Sequence, residues 1–139
     1  MSADNDSVRR LTSGPESVGI FDDERPIAWS ADGNSMAFCS QPRPHSGDHI
    51  NEQLKILDLT TSTLRTITTG PFIALSPCFS PDGEKLSFYR SMDIECWFNP
   101  LHVYSIPVTG GNAVNMAPTL DREISLSFSW MPESKSILI

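Results

Sequence analysis

Two imidazoles and a carboxylate lie within a short stretch at His45-Ser46-Gly47-Asp48-His49. Such a set could ligate zinc, but a metal centre also needs further ligands and a shell of partners to orient them. None flanks this stretch, which sits in a Pro- and Gly-rich insert between two strand-like segments and reads as a polar loop. If one loop of the chain holds a partner, this is the candidate, because binding residues concentrate on loops carried by rigid scaffolds. Gly14-Pro15-Glu16-Ser17-Val18-Gly19 looks like a nucleophile elbow. The elbow places serine two residues after the first glycine, between a strand and a helix, and Pro15 suits neither element. A loop is expected there. No local geometry builds a triad from His45, His49 or His102. His102 alternates with Leu101 and Val103 along a strand and is expected to face away from them. Trp97-Phe98 lies in a matching insert further on and is assigned to packing. Asp22-Asp23-Glu24 is a solvated acidic loop.

Three cysteines, Cys39, Cys78 and Cys96, are an odd number at spacings of 39 and 18. Without a CxxC pair they read as free thiols in a reducing compartment, and the cytoplasm is the expected location. No catalytic, cofactor-binding or metal-ligating residue is assigned. The chain is expected not to be an enzyme and to need no cofactor.

The whole composition agrees with a folded, strand-rich chain. Of 139 residues, 39% are hydrophobic and 19% charged, an ordinary globular mixture. Eleven prolines and eight glycines interrupt any long helix and favour short strands with frequent turns. The net charge of -7, from 17 acidic and 10 basic residues, opposes binding to phosphate backbones. Nucleic acid is therefore not an expected partner. Nor is a membrane, since no apolar run approaches the length of a span and the first ten residues are polar.

Internal repetition organises the sequence. Ile27-Ala28-Trp29-Ser30-Ala31-Asp32-Gly33-Asn34 is echoed by Pro77-Cys78-Phe79-Ser80-Pro81-Asp82-Gly83-Glu84, and again by Phe128-Ser129-Trp130-Met131-Pro132-Glu133-Ser134-Lys135. Trp29, Phe79 and Trp130 fall 50 and 51 residues apart. After each turn an apolar alternation follows at matching offsets: Met36 and Phe38, Leu86 and Phe88, Ile137 and Ile139. The turns themselves have a mechanism. Pro81 presets φ, Asp82 can accept from nearby amides, and Gly83 tolerates positive φ. The third copy has Ser134 where the others have glycine, at a cost of about 1 kcal/mol if that residue is left-handed.

A second strand pair follows each complete copy. Leu54–Leu59 corresponds to Leu101–Ile106, and the closing strands run through Arg65–Thr68 and Ala113–Met116. Val8–Gly14 resembles the closing segment Leu64–Gly70 without its predecessors. The expected organisation is one partial domain over 1–139: a closing strand at 8–14, blades at 26–70 and 76–117, and the first hairpin of another blade at 125–139. A period near 50 with four strands per unit suits a β-propeller blade. The fold class is all-β, with about two and a half four-stranded antiparallel blades, and with Trp29, Phe79 and Trp130 packed between neighbouring sheets.

The Trp/Phe-Ser-Pro-Asp-Gly turn and the strand pairs after it resemble the propeller repeats of TolB-like proteins. Similar repeats occur in the N-terminal propellers of dipeptidyl peptidase IV and other prolyl-oligopeptidase-type serine peptidases. The resemblance runs from about Val8 to Ile139. It implies a protein- or peptide-binding platform, or alternatively the gating propeller of such a peptidase, whose hydrolase domain is not in this sequence. The glutamates some peptidase propellers use cannot be placed on it. A third class, a propeller enzyme acting on sugars or lactones through central metal ligands, requires His or carboxylates repeated at one inner position, and none is found. Closed propellers need at least about four blades. The sequence is therefore expected to be a fragment of a longer protein, with self-association of copies as the alternative source of the remaining blades.

Overall fold

The computed structural model describes residues 9–18, 26–43, 45, 50–91, 100–120 and 127–139. Among them there is no α-helix, and every strand pair is antiparallel. No described helix is long and apolar enough to cross a membrane. The first sheet contains β1 (Ser17–Val18), β2 (Ile27–Trp29), β3 (Ser35–Gln41), β4 (Gln53–Asp58) and β5 (Thr63–Thr66). The second runs in order through β6 (Ile73–Phe79), β7 (Lys85–Ser91), β8 (His102–Pro107) and β9 (Val114–Asn115). A hairpin of β10 (Ser129–Trp130) and β11 (Ile137–Leu138) ends the chain.

The register carries the repeat. Met36 sits opposite Leu57 in the first sheet, as Leu86 sits opposite Ile106 in the second. Two features differ from the sequence reading. Residues 9–13 form no strand; instead β1 pairs with Ser40 and Gln41, continuing along the edge of β3 where β2 stops. The second sheet also begins at Ile73, three residues before the expected start. A bulge between Leu75 and Cys78, with Ser76 at φ 49°, lets the extra residues into β6 without breaking its pairing.

The sheets stack face to face. Ala37, Cys39, Leu54 and Ile56 of the first sheet form one buried cluster with Phe72, Ala74, Leu86, Phe88 and Ile106 of the second. Tyr89 and Val103, on the second sheet's other face, pack with Phe128 of the third repeat, and the Tyr89 and Phe128 rings meet edge to face at 5.0 Å. Strands β3 and β7 are thus covered on both faces, so the alternation of Met36 with Phe38 and of Leu86 with Phe88 marks only one of two buried sides. On the second side, small or polar residues such as Ala37 and Ser87 stand beside Cys39 and the fully buried Tyr89. Each fully buried large apolar side chain contributes about 1.5–3 kcal/mol. On the far face of the first sheet, Met36, Phe38 and Leu57 form a smaller cluster. Residues 9–16 lie beside it. Leu11 lines a cleft with Leu57 and Leu59, and Glu16 pairs with the buried Lys55 ammonium.

The repeated aromatics divide. Trp130 is buried and its indole N–H donates to the Cys78 carbonyl at 3.4 Å, reaching across to the preceding sheet. Phe79 packs against the cluster between the first two sheets. Trp29 was expected to do the same, yet it is 58% exposed. Its counterparts each reach the sheet before their own, and no described sheet precedes the first.

The turns close through a clamp in which serine matters as much as aspartate. Ser30 Oγ donates to Asp32 Oδ1 at 2.6 Å and accepts the Ser35 N–H at 2.9 Å, while Asn34 N–H donates to the same carboxylate at 3.0 Å. Ser80, Asp82, Glu84 and Lys85 repeat this geometry. Gly33 and Gly83 adopt φ of 71° and 73°, and their N–H groups return to the Ser30 and Ser80 carbonyls. The third turn has lost the clamp, with Met131 and Glu133 in place of Ser and Asp. Ser134 takes the glycine position at φ 58°, and its Oγ accepts the Asp82 N–H at 3.0 Å. The non-glycine residue thus ties the third turn to the second. Ser134→Ala keeps the left-handed strain and loses this bond, whereas Ser134→Gly loses the bond and is relieved of the strain. The alanine variant is expected to be less stable than the glycine one by about 1 kcal/mol in urea unfolding. Equal stabilities would contradict that balance.

The clamps also set an acid limit. The Ser30 hydroxyl lowers the pKa of Asp32, the Ser80 hydroxyl lowers that of Asp82, and the Thr60 hydroxyl holds Asp58 at about 2. Each carboxylate binds its proton more weakly folded than unfolded. The stability it contributes is present above the unfolded value of 3.8 and is lost as pH falls through the lowered one. The melting temperature is expected to fall as pH drops from 3.8 towards about 2, and Asp58→Asn should shallow that fall. An unchanged acid profile in the variant would contradict the assignment.

Candidate functional site: the insert-bearing end of the blades

The two ends of the stacked sheets differ in how their polar groups are satisfied. At the turn end, the Ser-Asp clamps and the Asp58 carboxylate, which accepts from Thr60 and Thr61 amides at 2.9 and 3.0 Å, close the backbone. At the opposite end, β3 and β7 run out into the two inserts and β4 and β8 return from them. Here the buried side-chain atoms without a hydrogen-bond partner among the described residues gather: Ser40 Oγ, Gln41 Oε1 and Nε2, Arg90 Nε, Ser91 Oγ and His102 Nδ1. They belong to the last residues of β3 and β7 and the first of β8. Neighbouring residues such as Ser40 and Gln41, or Arg90 and Ser91, point to opposite faces of their strands, so these atoms share one end of the sheets rather than one cavity. Buried polar atoms are nearly always paired, so each needs a reason.

Long-range contacts hold this end in place. Glu52, 4% exposed, accepts the Ala74 N–H at 2.6 Å, so a carboxylate on the first sheet is bonded to the second. Asn51 bridges to Phe72. Thr68 Oγ1 accepts the Leu54 N–H at 3.0 Å and fixes the strand that leaves the first blade. Gln41 sits opposite Ser17, so β1 covers the exit of β3.

The residues singled out in the sequence fall as follows. His45 is exposed at this end, while Ser46 to His49, and with them Asp48, lie outside the described residues, as do Trp97-Phe98, Cys96 and Asp22-Asp23-Glu24. Ser17 and Val18 form a strand on the edge of β3 where a loop was expected. His102 is half-buried opposite Arg90, whereas Leu101 and Val103 join the cluster on the other face. Cys39 and Cys78 are not joined in disulfides. No group of three or more His, Cys, Asp or Glu among the described residues is placed to hold a metal. Sequence reasoning passed over Ser40, Gln41, Glu52, Arg90 and Ser91. Their only signal was position, at strand ends beside the inserts.

Four-stranded antiparallel sheets stacked face to face, with clamped turns at one end and inserts at the other, define a run of β-propeller blades. No family model matches the sequence, and no curated protein matches it. Solved structures match its fold, and that fold is TolB-like. TolB from Acinetobacter baumannii aligns over 83% of this chain and 26% of its own, at 19% identity and a TM-score of 0.58. A putative TolB from Agrobacterium tumefaciens aligns over 64% of this chain and 28% of its own, at 21% identity and a TM-score of 0.51. An oligogalacturonate lyase in complex with manganese aligns over 95% of this chain and 34% of its own, at 17% identity and a TM-score of 0.63. The chain therefore spans between 26% and 34% of the length of these propeller proteins.

Proposed function

We propose that the chain is a non-enzymatic protein- or peptide-binding platform whose partner meets the insert-bearing end. The observation that carries this reading is that the buried, unpaired polar atoms of Ser40, Gln41, Ser91 and His102 all lie at one end of the sheets, whereas the polar groups of the turns at the other end are closed. A partner segment that enters between the inserts would supply the missing acceptors and donors. The gain is about 1–3 kcal/mol for each group so rescued. The TolB-like fold supports a scaffold that presents loops from one face.

The test is loop replacement. Exchanging residues 44–49 for a Gly/Ser segment of equal length is expected to abolish capture of a partner identified with the intact chain. Ala31→Lys at the opposite turn should leave capture unchanged. Capture that survives the insert exchange, or fails with Ala31→Lys, would contradict the assignment of this end. The same purified chain, titrated with manganese, checks the enzyme class raised by the lyase's fold likeness. The platform predicts no saturable binding.

A further inference from the structure

We propose that the groove between the first two blades holds a carboxylate-binding site centred on Arg90. This goes beyond the platform reading and does not depend on it, because a free small carboxylate would serve as well as the end of a peptide. Arg90 lies on the same face of β7 as Leu86 and Phe88, four and two residues away, and lines a cleft of about 360 Å³ together with Thr68, Thr69, Phe72, Gly111 and Asn112. That volume is at the small end of ligand pockets and suits a compact group.

Three observations give the site its sign and shape. The guanidinium carbon lies 4.3 Å from the centre of the Phe72 ring and 5.1 Å from that of Tyr104. Aromatic faces hold the plane of the cation and leave its hydrogen-bonding edge to a planar acceptor. Arg90 Nε is buried with no hydrogen-bond partner, and no ion pair involves Arg90 among the described residues. In a chain of net charge -7, this cation is held by rings rather than by a carboxylate of its own. No described residue in the lining of the cleft carries an acidic side chain. Its other polar groups are donors or can donate: the Asn112 amide, the Thr69 hydroxyl, and the Thr68 hydroxyl, whose oxygen already accepts the Leu54 N–H and whose hydrogen is left to give. A ligand must therefore accept hydrogen bonds and carry negative charge. One arginine, with no second cation among the described lining residues, fits the single charge of a carboxylate better than the nearly double charge of a phosphate.

The experiment is an NMR titration of the folded, 15N-labelled chain, following the Arg90 Nε–H and the Thr69, Gly111 and Asn112 amides. The probes are acetate, N-acetyl-trialanine with a free carboxyl end, and the same peptide amidated. Saturating shifts of these signals with either carboxylate, and none with the amidated peptide, are the expected result. A response to acetate alone assigns the site to small molecules, and a tighter response to the peptide assigns it to chain ends. Arg90→Lys keeps the charge over the rings but loses the planar fork, and should weaken binding by about tenfold. Asn112→Ala, on an exposed turn, should weaken it by about threefold and gives the same readout if the arginine variant does not fold. No saturating shift, equal shifts with the amidated peptide, or unchanged affinity in both variants would overturn the site.

Discussion

Trp130→Ala is expected to destabilise the chain by about 3–5 kcal/mol, and Trp29→Ala to change stability by less than about 0.5 kcal/mol, although the two tryptophans occupy the same position of the repeat. Trp130 is buried against the second sheet and donates its indole N–H to the Cys78 carbonyl. Its removal opens a cavity between two blades and takes one donor from that carbonyl, which keeps the Ser87 hydroxyl at 3.3 Å. Trp29 is 58% exposed and has no described sheet to cover. Trp130→Phe separates the two contributions, since it keeps most of the ring and loses only a bond worth about 1 kcal/mol. Urea unfolding of the three variants decides the matter. Equal losses at Trp29 and Trp130 would mean that the repeats do not stack in this order.

The second large effect lies between the first two blades. Phe88 is fully buried in the cluster shared by both sheets, and Phe88→Ala is expected to cost about 3–5 kcal/mol. Leu54→Ala, on the first sheet within the same cluster, should cost about 2–5 kcal/mol. The two sites share one packed layer, so the double variant should depart from the sum by about 0.5 kcal/mol or more. Strict additivity would show that Phe88 and Leu54 do not share one packed layer. A domain of this size has a total stability of about 5–15 kcal/mol, so either single change should remove a substantial share of it.

What the sequence made legible was what is local. The Asp-Gly turns at Asp32-Gly33 and Asp82-Gly83 could be read because turn conformation depends on a few adjacent residues, and the 50-residue spacing repeated that signal. The TolB-like fold followed. Ser30 and Ser80 could be seen as part of the repeated turn motif, but were given no role there because serine is common in any loop. Its role in the clamp emerges only once the hairpin closes and brings Ser35 and Lys85 back to it. Glu52 could not be read at all. A glutamate beside a strand looks solvated until the next blade brings the Ala74 N–H, 22 residues away, to within 2.6 Å. The exposure of Trp29 has the same origin. Residue type records a preference for burial, while the neighbour that would bury it is set by blade order. The unpaired groups at the insert-bearing end were equally silent, since Gln41 and Ser91 are ordinary polar residues until the sheets enclose them.

Acrylamide quenching of single-tryptophan variants tests the blade stack most directly, with Trp97 and one of Trp29 or Trp130 replaced by phenylalanine. The stack predicts a blue-shifted, protected Trp130 and a red-shifted Trp29 that quenches readily. A Trp130 as accessible as Trp29 in the folded chain would contradict it, because the third repeat would then not cover the second.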